Sequence, residues 1–266
     1  MTMPPSPPYD DPSGLQQYGA EEWKTRVDLA ACYRLVDLFD MCDLIANHIS
    51  ARIPGTDDFL INPFGLMYEE ITASCLIRVD LAGNILHNPN QDYSINLAGY
   101  VIHSAVHEAR PDVGCVIHTH TVAGIAISTL ECGLLPVSQS SMRFADVRYH
   151  DFEGVAFDED EKSRLVADLG DGDALILRNH GLLVAGADIA QAFNAIYRLE
   201  RVCRIQAAAM ACGHAMIMPA PEIVQRAKAQ YAANPANMGR KPAPLGVLEW
   251  PAMLRMLDRR DPSYRR

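Results

Sequence analysis

The sequence has no long apolar run, no stripe of Lys and Arg, and no paired cysteines. Its apolar stretches are interrupted by Arg, Asp or His before about eighteen residues, which excludes a conventional transmembrane helix. The N-terminal segment has no basic and no apolar stretch of the secretory type, so we expect a cytoplasmic protein. A net charge of −10 argues against nucleic acid or a membrane as a partner. The seven cysteines are scattered without a C-x-x-C pair, which indicates reduced thiols.

What the sequence does contain is alternating helical and strand-like periodicity. Apolar residues recur every three or four positions from Glu22 to about His48, which predicts a long amphipathic helix. Further helices are predicted at residues 93–110, 121–130, 158–169, 189–211, 221–232 and 245–257. Strands are predicted at residues 51–54, 59–63, 113–120, 136–138, 147–149, 174–178 and 181–185, and residues 76–86 are predicted to form a hairpin whose turn contains Gly83 and Asn84.

Many of these strands are joined by short turns rather than by helical crossovers. We therefore expect an α/β fold, a three-layer α/β/α sandwich around a mainly antiparallel or mixed sheet. Residues 1–14, rich in Pro, Ser and Asp, are expected to form a disordered arm. The main domain would span residues 15–215, and residues 216–266 would form a helical extension packed on it.

Histidines provide the clearest chemical signal. The apolar strand that starts at Val113 ends in His118 and His120, whose i, i+2 spacing places both rings on one side of a strand. A third candidate, His180, lies between two apolar runs and is flanked by Asn179 and Gly181. Three histidine ligands would leave one position of a tetrahedral metal site open, which is the catalytic pattern.

His103 and His107 form a second pair with i, i+4 spacing on a predicted helix. Such spacing can chelate a metal, but no H-E-x-x-H motif accompanies the pair. A role in the wall of a pocket or in hydrogen bonding is therefore favoured over ligation.

The combination of motifs resembles the class II aldolase/adducin family, in its bacterial adducin-like branch. The resemblance covers about residues 22–213 and is carried by residues 47–50, 59–65, 109–112, 118–120, 133–136, 149–151 and 175–181, with residues 246–258 similar to the tail of bacterial members. It implies the three-layer fold, a small-molecule substrate, and a homotetramer with the active site near a subunit boundary. It also implies one divalent metal per chain, with zinc expected and manganese or another transition metal as alternatives, on His118, His120 and His180.

The sequence departs from the sugar-phosphate aldolases of this family at the positions that transfer protons. Gly99 stands where those enzymes have a glutamate acid/base, and residues 138–142 lack their tyrosine proton donor. Asn47 and Gly65 are retained as candidate substrate-binding residues, but Phe64 replaces a usual hydroxyl residue. A doubly charged phosphate needs converging donors, so we expect a non-phosphorylated substrate.

These observations leave three functions open. The first is an aldolase-type carbon–carbon lyase, in which the metal as a Lewis acid stabilises an enediolate or enolate. Its base would have to be His103, His107, Asp92, Tyr93 or a hydroxide on the metal. The second is a decarboxylase of a hydroxy or aromatic carboxylate, which needs no such base, with Arg143 or Arg178 steering the carboxylate. The third is a non-catalytic adducin-like assembly domain, although such a scaffold would not require the three ligands.

Overall fold

The computed structural model describes residues 9–154, 159–233 and 244–266, and most of these residues belong to one large sheet and the helices that cover it. The strands are β1 (His48–Arg52), β2 (Phe59–Ile61), β3 (Ile77–Val79), β4 (Ile85–His87), β5 (Cys115–Thr119), β6 (Arg148–His150), β7 (Ala174–Leu177) and β8 (Gly181–Gly186). They form one eight-stranded sheet in the order β4-β3-β2-β1-β5-β8-β7-β6. Only the β6–β7 pair is parallel among these pairings, so the sheet is mixed, as the sequence predicted.

Helices cover both faces of this sheet. They are α1 (Pro12–Tyr18), α2 (Ala20–Leu38), α3 (Leu97–Ala109), α4 (Val122–Ser128), α5 (Glu159–Leu169), α6 (Ile189–Ala211), α7 (Pro221–Ala233) and α8 (Trp250–Arg260). One core cluster joins α2, α4, α6 and α8 to the face that carries Cys115 and Ile117 of β5. A second cluster joins α3 and α5 to the opposite face, where Val116 lies. This arrangement confirms the three-layer α/β/α prediction.

Strand register decides which polar side chains reach the α3 face. His48 of β1 pairs with His118 of β5, and Ser50 pairs with Val116. Because side chains alternate along a strand, His48, Ser50 and His118 project to the same face as Val116. That face is covered by α3, which carries His103 and His107.

The predicted helix from Glu22 to His48 is wrong in its second half, since α2 ends at Leu38. Asp40 and Leu44 have left-handed backbones, with φ of 56° and 48°, which end the helix and form a loop before β1. The apolar periodicity of the sequence continues beyond the end of α2 because Met41 is buried and Cys42 packs on the same core as α2. His48 therefore belongs to a strand.

Several other predicted elements differ in their bounds; the helix predicted at 245–257, for example, begins only at Trp250. Residues 136–138 are not a strand, because neighbouring backbone N–H groups donate to side chains instead: Leu135 to Gln206 and Ser138 to Ser141. Helix α3 begins at Leu97, four residues later than predicted, since Ser94 pairs with Phe64 in an isolated bridge.

The chain ends pack on the sheet domain where they are described. Helix α1 begins at Pro12, inside the segment 1–14 that the sequence predicted to be a disordered arm, and residues 1–8 lie outside the described residues. At the other end, Trp250 of α8 donates from Nε1 to Asp28 of α2 at 2.9 Å. No helix in the described part of the chain is long and apolar enough to cross a membrane.

Candidate metal centre

The three predicted ligands come together at one end of the sheet. His118 lies in β5, His120 follows that strand, and His180 lies in the turn between β7 and β8. The Nε2 atom of His120 is 2.8 Å from Nε2 of His118 and 3.0 Å from Nε2 of His180. Among the described residues, this is the group of three whose donor atoms all lie within 4.8 Å of one another. We call these residues the histidine triad.

The turn that carries His180 explains why the chain has Asn-His-Gly there. Asn179 adopts a left-handed backbone with φ of 57°, a conformation that asparagine tolerates better than most residues. Gly181 starts β8, and a Cβ at this position would lie 2.4 Å from the carbonyl oxygen of Thr119. The turn therefore brings His180 against the end of β5.

Hydrogen bonds fix the protonation of two triad rings. His118 Nδ1 lies 2.9 Å from the Leu182 carbonyl oxygen, and His120 Nδ1 lies 3.2 Å from the Asp43 carboxylate. Both partners only accept, so the neutral tautomer that satisfies each bond carries its proton on Nδ1 and presents a lone pair at Nε2. Burial, followed by the nearby His120 ring, holds the pKa of His118 well below its usual value and lowers that of His180 to about 4.

The triad thus points unprotonated nitrogens at one another over hydrogen-bonding distance. In these tautomers two lone pairs face each other at 2.8 Å, and a cation that both nitrogens bind relieves their repulsion. Neutral imidazoles that converge from three sides suit a borderline-soft divalent ion such as zinc. The donor chemistry of these residues therefore fits a metal.

A line of buried histidines leads from the triad into the space under α3. The ring centroid of His48 is 5.3 Å from that of His118 and 4.7 Å from that of His103. His48 Nδ1 and His103 Nε2 are 2.9 Å apart, and Ser50 Oγ lies 2.6 Å from His103 Nδ1 and 2.8 Å from His107 Nε2. We call His48, His103, Ser50 and His107 the buried histidine chain. His103 and His107 thus reach the triad only through His48.

Burial keeps the imidazoles of this chain neutral. It holds the pKa of His48 and of His103 well below the usual value, with neighbouring histidines adding to the effect. It lowers the pKa of His107 to about 3, aided by the Arg52 guanidinium. A neutral ring has one donor and one acceptor nitrogen, so the hydrogen bonds within this chain can form without a charged partner, while His107 Nδ1 at its end has no hydrogen-bond partner among the described residues.

The His48 ring also fills the space that residue 99 would need for a side chain. A Cβ on Gly99 would lie 2.2 Å from His48 Cδ2 and 2.4 Å from His48 Nε2. No carboxylate at position 99 fits this packing. The His48 ring therefore restricts position 99 to a residue without a side chain.

Four other residues were also predicted for the site: Gly65, Tyr93, Asn47 and Asp92. Gly65 has φ of 114°, and its Cβ position would lie 3.2 Å from the Tyr93 ring, so these two residues pack together. Asn47 is buried and its Oδ1 accepts from the Asp43 backbone N–H at 2.7 Å. Asp92 is exposed.

The two candidate arginines lie at opposite ends of β7. Arg178 follows β7 and shares a crevice with His180, but its Nη1 donates to the Leu130 carbonyl at 2.8 Å. Arg143 donates to Asn194 and to Asp173, the residue that precedes β7. Within one chain, the structure brings Arg178 to the triad and does not bring Arg143 there.

Sequence reasoning missed His48 and Asp43. His48 had been assigned to a helix, and only its strand position aligns it with Ser50 and His118. The signal was present in Asn-His-Ile-Ser, where His and Ser alternate as on a half-buried strand. Asp43 had no local signal, because its contact with His120 depends on the loop before β1.

Ser50→Ala tests the buried histidine chain as a structural element. Removing Oγ leaves His103 Nδ1 and His107 Nε2 buried without their partner, so we expect the free energy of unfolding to fall by about 2–3 kcal/mol. Ser104→Ala is the matched control, because Ser104 is equally buried but bonds only to the Val101 carbonyl of its own helix. Chemical denaturation measures both variants. Equal losses in the two would contradict the role given to Ser50.

Comparison with known proteins identifies the family. The model of the Class II Aldolase and Adducin N-terminal domain matches residues 27–207. A protein of Pseudomonas aeruginosa named for aldolase class 2 is 52% identical, over 96% of this chain and 97% of its own length. The solved aldolase II superfamily protein of Pseudomonas syringae is 45% identical, with a TM-score of 0.86 over 94% of this chain and 98% of that one.

A mouse protein, alpha-adducin, is also similar to this chain. The two are 42% identical over 91% of this chain, which spans 34% of the mouse protein. The family model covers most of the chain, and it includes all three residues of the histidine triad. The chain belongs to the class II aldolase and adducin family.

Proposed function

We propose that the protein is a divalent-metal-dependent carbon–carbon lyase with one ion per chain, zinc being the ion we expect. The observation that carries this proposal is the convergence of the three Nε2 atoms of the histidine triad, with that of His120 at 2.8 Å from His118 and 3.0 Å from His180. In the Nδ1–H tautomers these nitrogens repel one another, and a divalent ion that binds them removes the repulsion. When bound, a divalent ion supplies Lewis acidity, which stabilises the negative charge that develops when a carbon–carbon bond breaks.

The chain's own residues hold and orient this centre. Leu182 and Asp43 accept the Nδ1 protons of His118 and His120, so the Nε2 lone pairs remain directed at one point. His118 is only 1% exposed, whereas His120 and His180 are partly accessible. Substrate would therefore approach from the side of these two rings, with the buried side of the centre closed to water.

The surroundings support a substrate without a phosphate group. Phe64 is 42% exposed and Leu97, the first residue of α3, is 65% exposed. The resemblance to sugar-phosphate aldolases places phosphate-binding hydroxyl groups at or near these positions. Apolar side chains cannot supply the converging donors that a doubly charged phosphate needs.

One observation favours decarboxylation as the second candidate. The His48 ring leaves no room for a carboxylate at position 99. Retro-aldol cleavage needs a base to remove a hydroxyl proton, whereas loss of CO₂ does not. A hydroxy or aromatic carboxylate would then be the substrate, and Arg178, beside His180, is the residue of this chain that could orient it.

The similarity to alpha-adducin favours a third candidate, a non-catalytic assembly domain. A domain that served assembly alone would have no need for three neutral imidazoles that present lone pairs to one another. Retention of the triad is therefore the reason to place lyase activity first. The homotetramer and the cytoplasmic location stay predictions.

Metal analysis and a substrate panel test the proposal. Purified protein should contain about one divalent ion per chain, as expected for a three-histidine catalytic site. His120→Ala should lose the ion while its circular dichroism spectrum stays native, and exposed His214→Ala should keep it. Native protein that binds no divalent ion would refute the proposal. Non-phosphorylated hydroxy-keto acids and aromatic carboxylates, assayed for aldehyde and for CO₂, then separate the two lyase reactions, and no turnover of any of them favours the assembly domain.

A further inference from the structure

We infer that Asp43 is a positioning residue of the metal centre, held in place by Asn47, and this inference rests on the proposed metal-dependent function. Asp43 Oδ2 lies 3.2 Å from His120 Nδ1. A histidine that ligates a metal commonly donates its other ring N–H to a carboxylate or a carbonyl, which fixes its tautomer and orientation and raises its basicity. Asp43 has the chemistry and the placement for this role.

His120 needs such a partner more than His118 does. The His118 ring is enclosed by the sheet and by α3, and its Nδ1 donates to a backbone carbonyl of the neighbouring strand. His120 lies beyond the end of β5, and 20% of its side chain is exposed. Outside the sheet, side-chain contacts have to define the orientation of the ring.

The loop before β1 presents Asp43 to His120. Its shape depends on left-handed Leu44, with φ of 48°, and on the bond from the Ala46 N–H to the Asp43 carbonyl at 2.9 Å. Asn47 Oδ1 accepts from the Asp43 N–H at 2.7 Å, and Asn47 itself is 1% exposed. Because Asn47 directly precedes β1, it couples the position of Asp43 to the strand that pairs with β5.

This chain of contacts assigns Asn47 a role beside the one predicted from its sequence. The sequence predicts that Asn47 binds substrate; its carbonyl oxygen accepts from the Asp43 N–H, and its buried Nδ2 has no hydrogen-bond partner among the described residues. Asn47 contacts Asp43, and Asp43 contacts His120. Asn47 would therefore act on the metal only through these two residues. Loss of Asn47 should weaken metal binding, but it should also destabilise the buried start of β1, and for that reason Asp43 is the cleaner position to test.

Metal affinity of Asp43 variants tests the inference. Competition with a chromophoric chelator for Zn²⁺ should show binding about 10–100-fold weaker in Asp43→Ala, the usual effect of losing such a partner. Asp43→Asn keeps an acceptor oxygen without the charge, so its loss should be smaller. Since 51% of the Asp43 side chain is exposed, the metal-free variants should unfold within about 0.5 kcal/mol of the native chain. With Co²⁺, the visible absorption bands of Asp43→Ala should shift.

Asp40→Asn is the matched control, because Asp40 is in the same loop, is 96% exposed and lies near Arg204 rather than the triad. It should bind Zn²⁺ as tightly as the native chain. Equal affinity and equal Co²⁺ spectra in native and Asp43→Ala protein would overturn the inference while leaving the metal centre intact. If the native chain bound no divalent ion, the proposed function would fail instead.

Nitrogen NMR of the metal-free protein tests the contact between Asp43 and His120 separately, because it reads the tautomer of the His120 ring. An Nδ1–H form that Asp43→Ala does not alter would also overturn the inference.

Discussion

Gly99→Ala should lower the free energy of unfolding by about 4 kcal/mol in the native sequence and should have the opposite sign once His48 is removed. The new Cβ would lie 2.2 Å from His48 Cδ2, so the ring would have to move. Overpacking of this kind costs about 1–3 kcal/mol, and loss of the His48–His103 hydrogen bond adds about 1–3 kcal/mol. In a His48→Ala background the clash disappears. Alanine then gains up to about 1 kcal/mol over glycine inside α3 from helix propensity alone.

A double-mutant cycle measures this reversal. Denaturation of the native chain, both single variants and the double variant gives the coupling free energy between positions 48 and 99 directly. His103→Ala provides a second background, in which the His48 ring remains above Gly99 although its hydrogen bond is gone. Gly99→Ala should still destabilise the protein there. A loss of the same size in the native and His48→Ala backgrounds would show that the ring does not limit residue 99.

The same contact bears on what the site can do. In the sugar-phosphate aldolases that this chain resembles, the position of Gly99 carries the acid/base carboxylate. Here the neighbouring strand supplies an imidazole to that volume, and the imidazole is joined to two more histidines and a serine. The histidine triad, which we propose to bind the metal, therefore lies beside the buried histidine chain rather than beside a carboxylate. Under the proposed function, this arrangement is the reason to assay both aldehyde release and CO₂ release.

The histidine triad could be predicted from sequence because each of its signals is local. His118 and His120 end one apolar strand at i, i+2, and His180 occupies a turn marked by Asn179 and Gly181. The layers of the fold followed from the same local patterns, since short turns between strands favour a mixed sheet. The structure brings these signals together through the β5–β8 pairing.

The rest of the site depends on contacts between distant segments, which no local pattern encodes. The strand position of His48 was not predicted, because apolar residues in the loop after α2 continue the helical period. In the structure the helix is interrupted by the left-handed backbones of Asp40 and Leu44. No local pattern indicates that Gly99 lies against the His48 ring, because this contact depends on the position of β1. Arg143 was predicted to bind a substrate carboxylate, but it donates to Asp173, at the end of β7 away from the triad.

Acid should destabilise this protein steeply, because His103 and His107 are buried as neutral rings. Their folded-state pKa values lie below the ordinary value of 6.5, that of His107 at about 3. Above pH 6.5 both states are neutral at these positions, so pH has no effect through them. As pH falls below 6.5, the unfolded chain binds protons that the folded chain cannot, and stability is lost. These two groups contribute about 2.7 kcal/mol per pH unit to the slope, and His48, whose pKa burial also lowers, adds to it.

His107→Gln isolates one of these groups while keeping an amide nitrogen that can bond to Ser50. Because the substitution also changes the stability at neutral pH, the quantity to compare is the slope of the free energy of unfolding against pH in the two proteins. Between about pH 6 and pH 4, urea denaturation should show a slope smaller by about 1.4 kcal/mol per pH unit than in the native protein. His214→Gln should leave the slope unchanged, since the His214 side chain is exposed to solvent in the folded protein. A native slope in His107→Gln would mean that the folded protein accepts a proton at His107, against the burial that the structure shows.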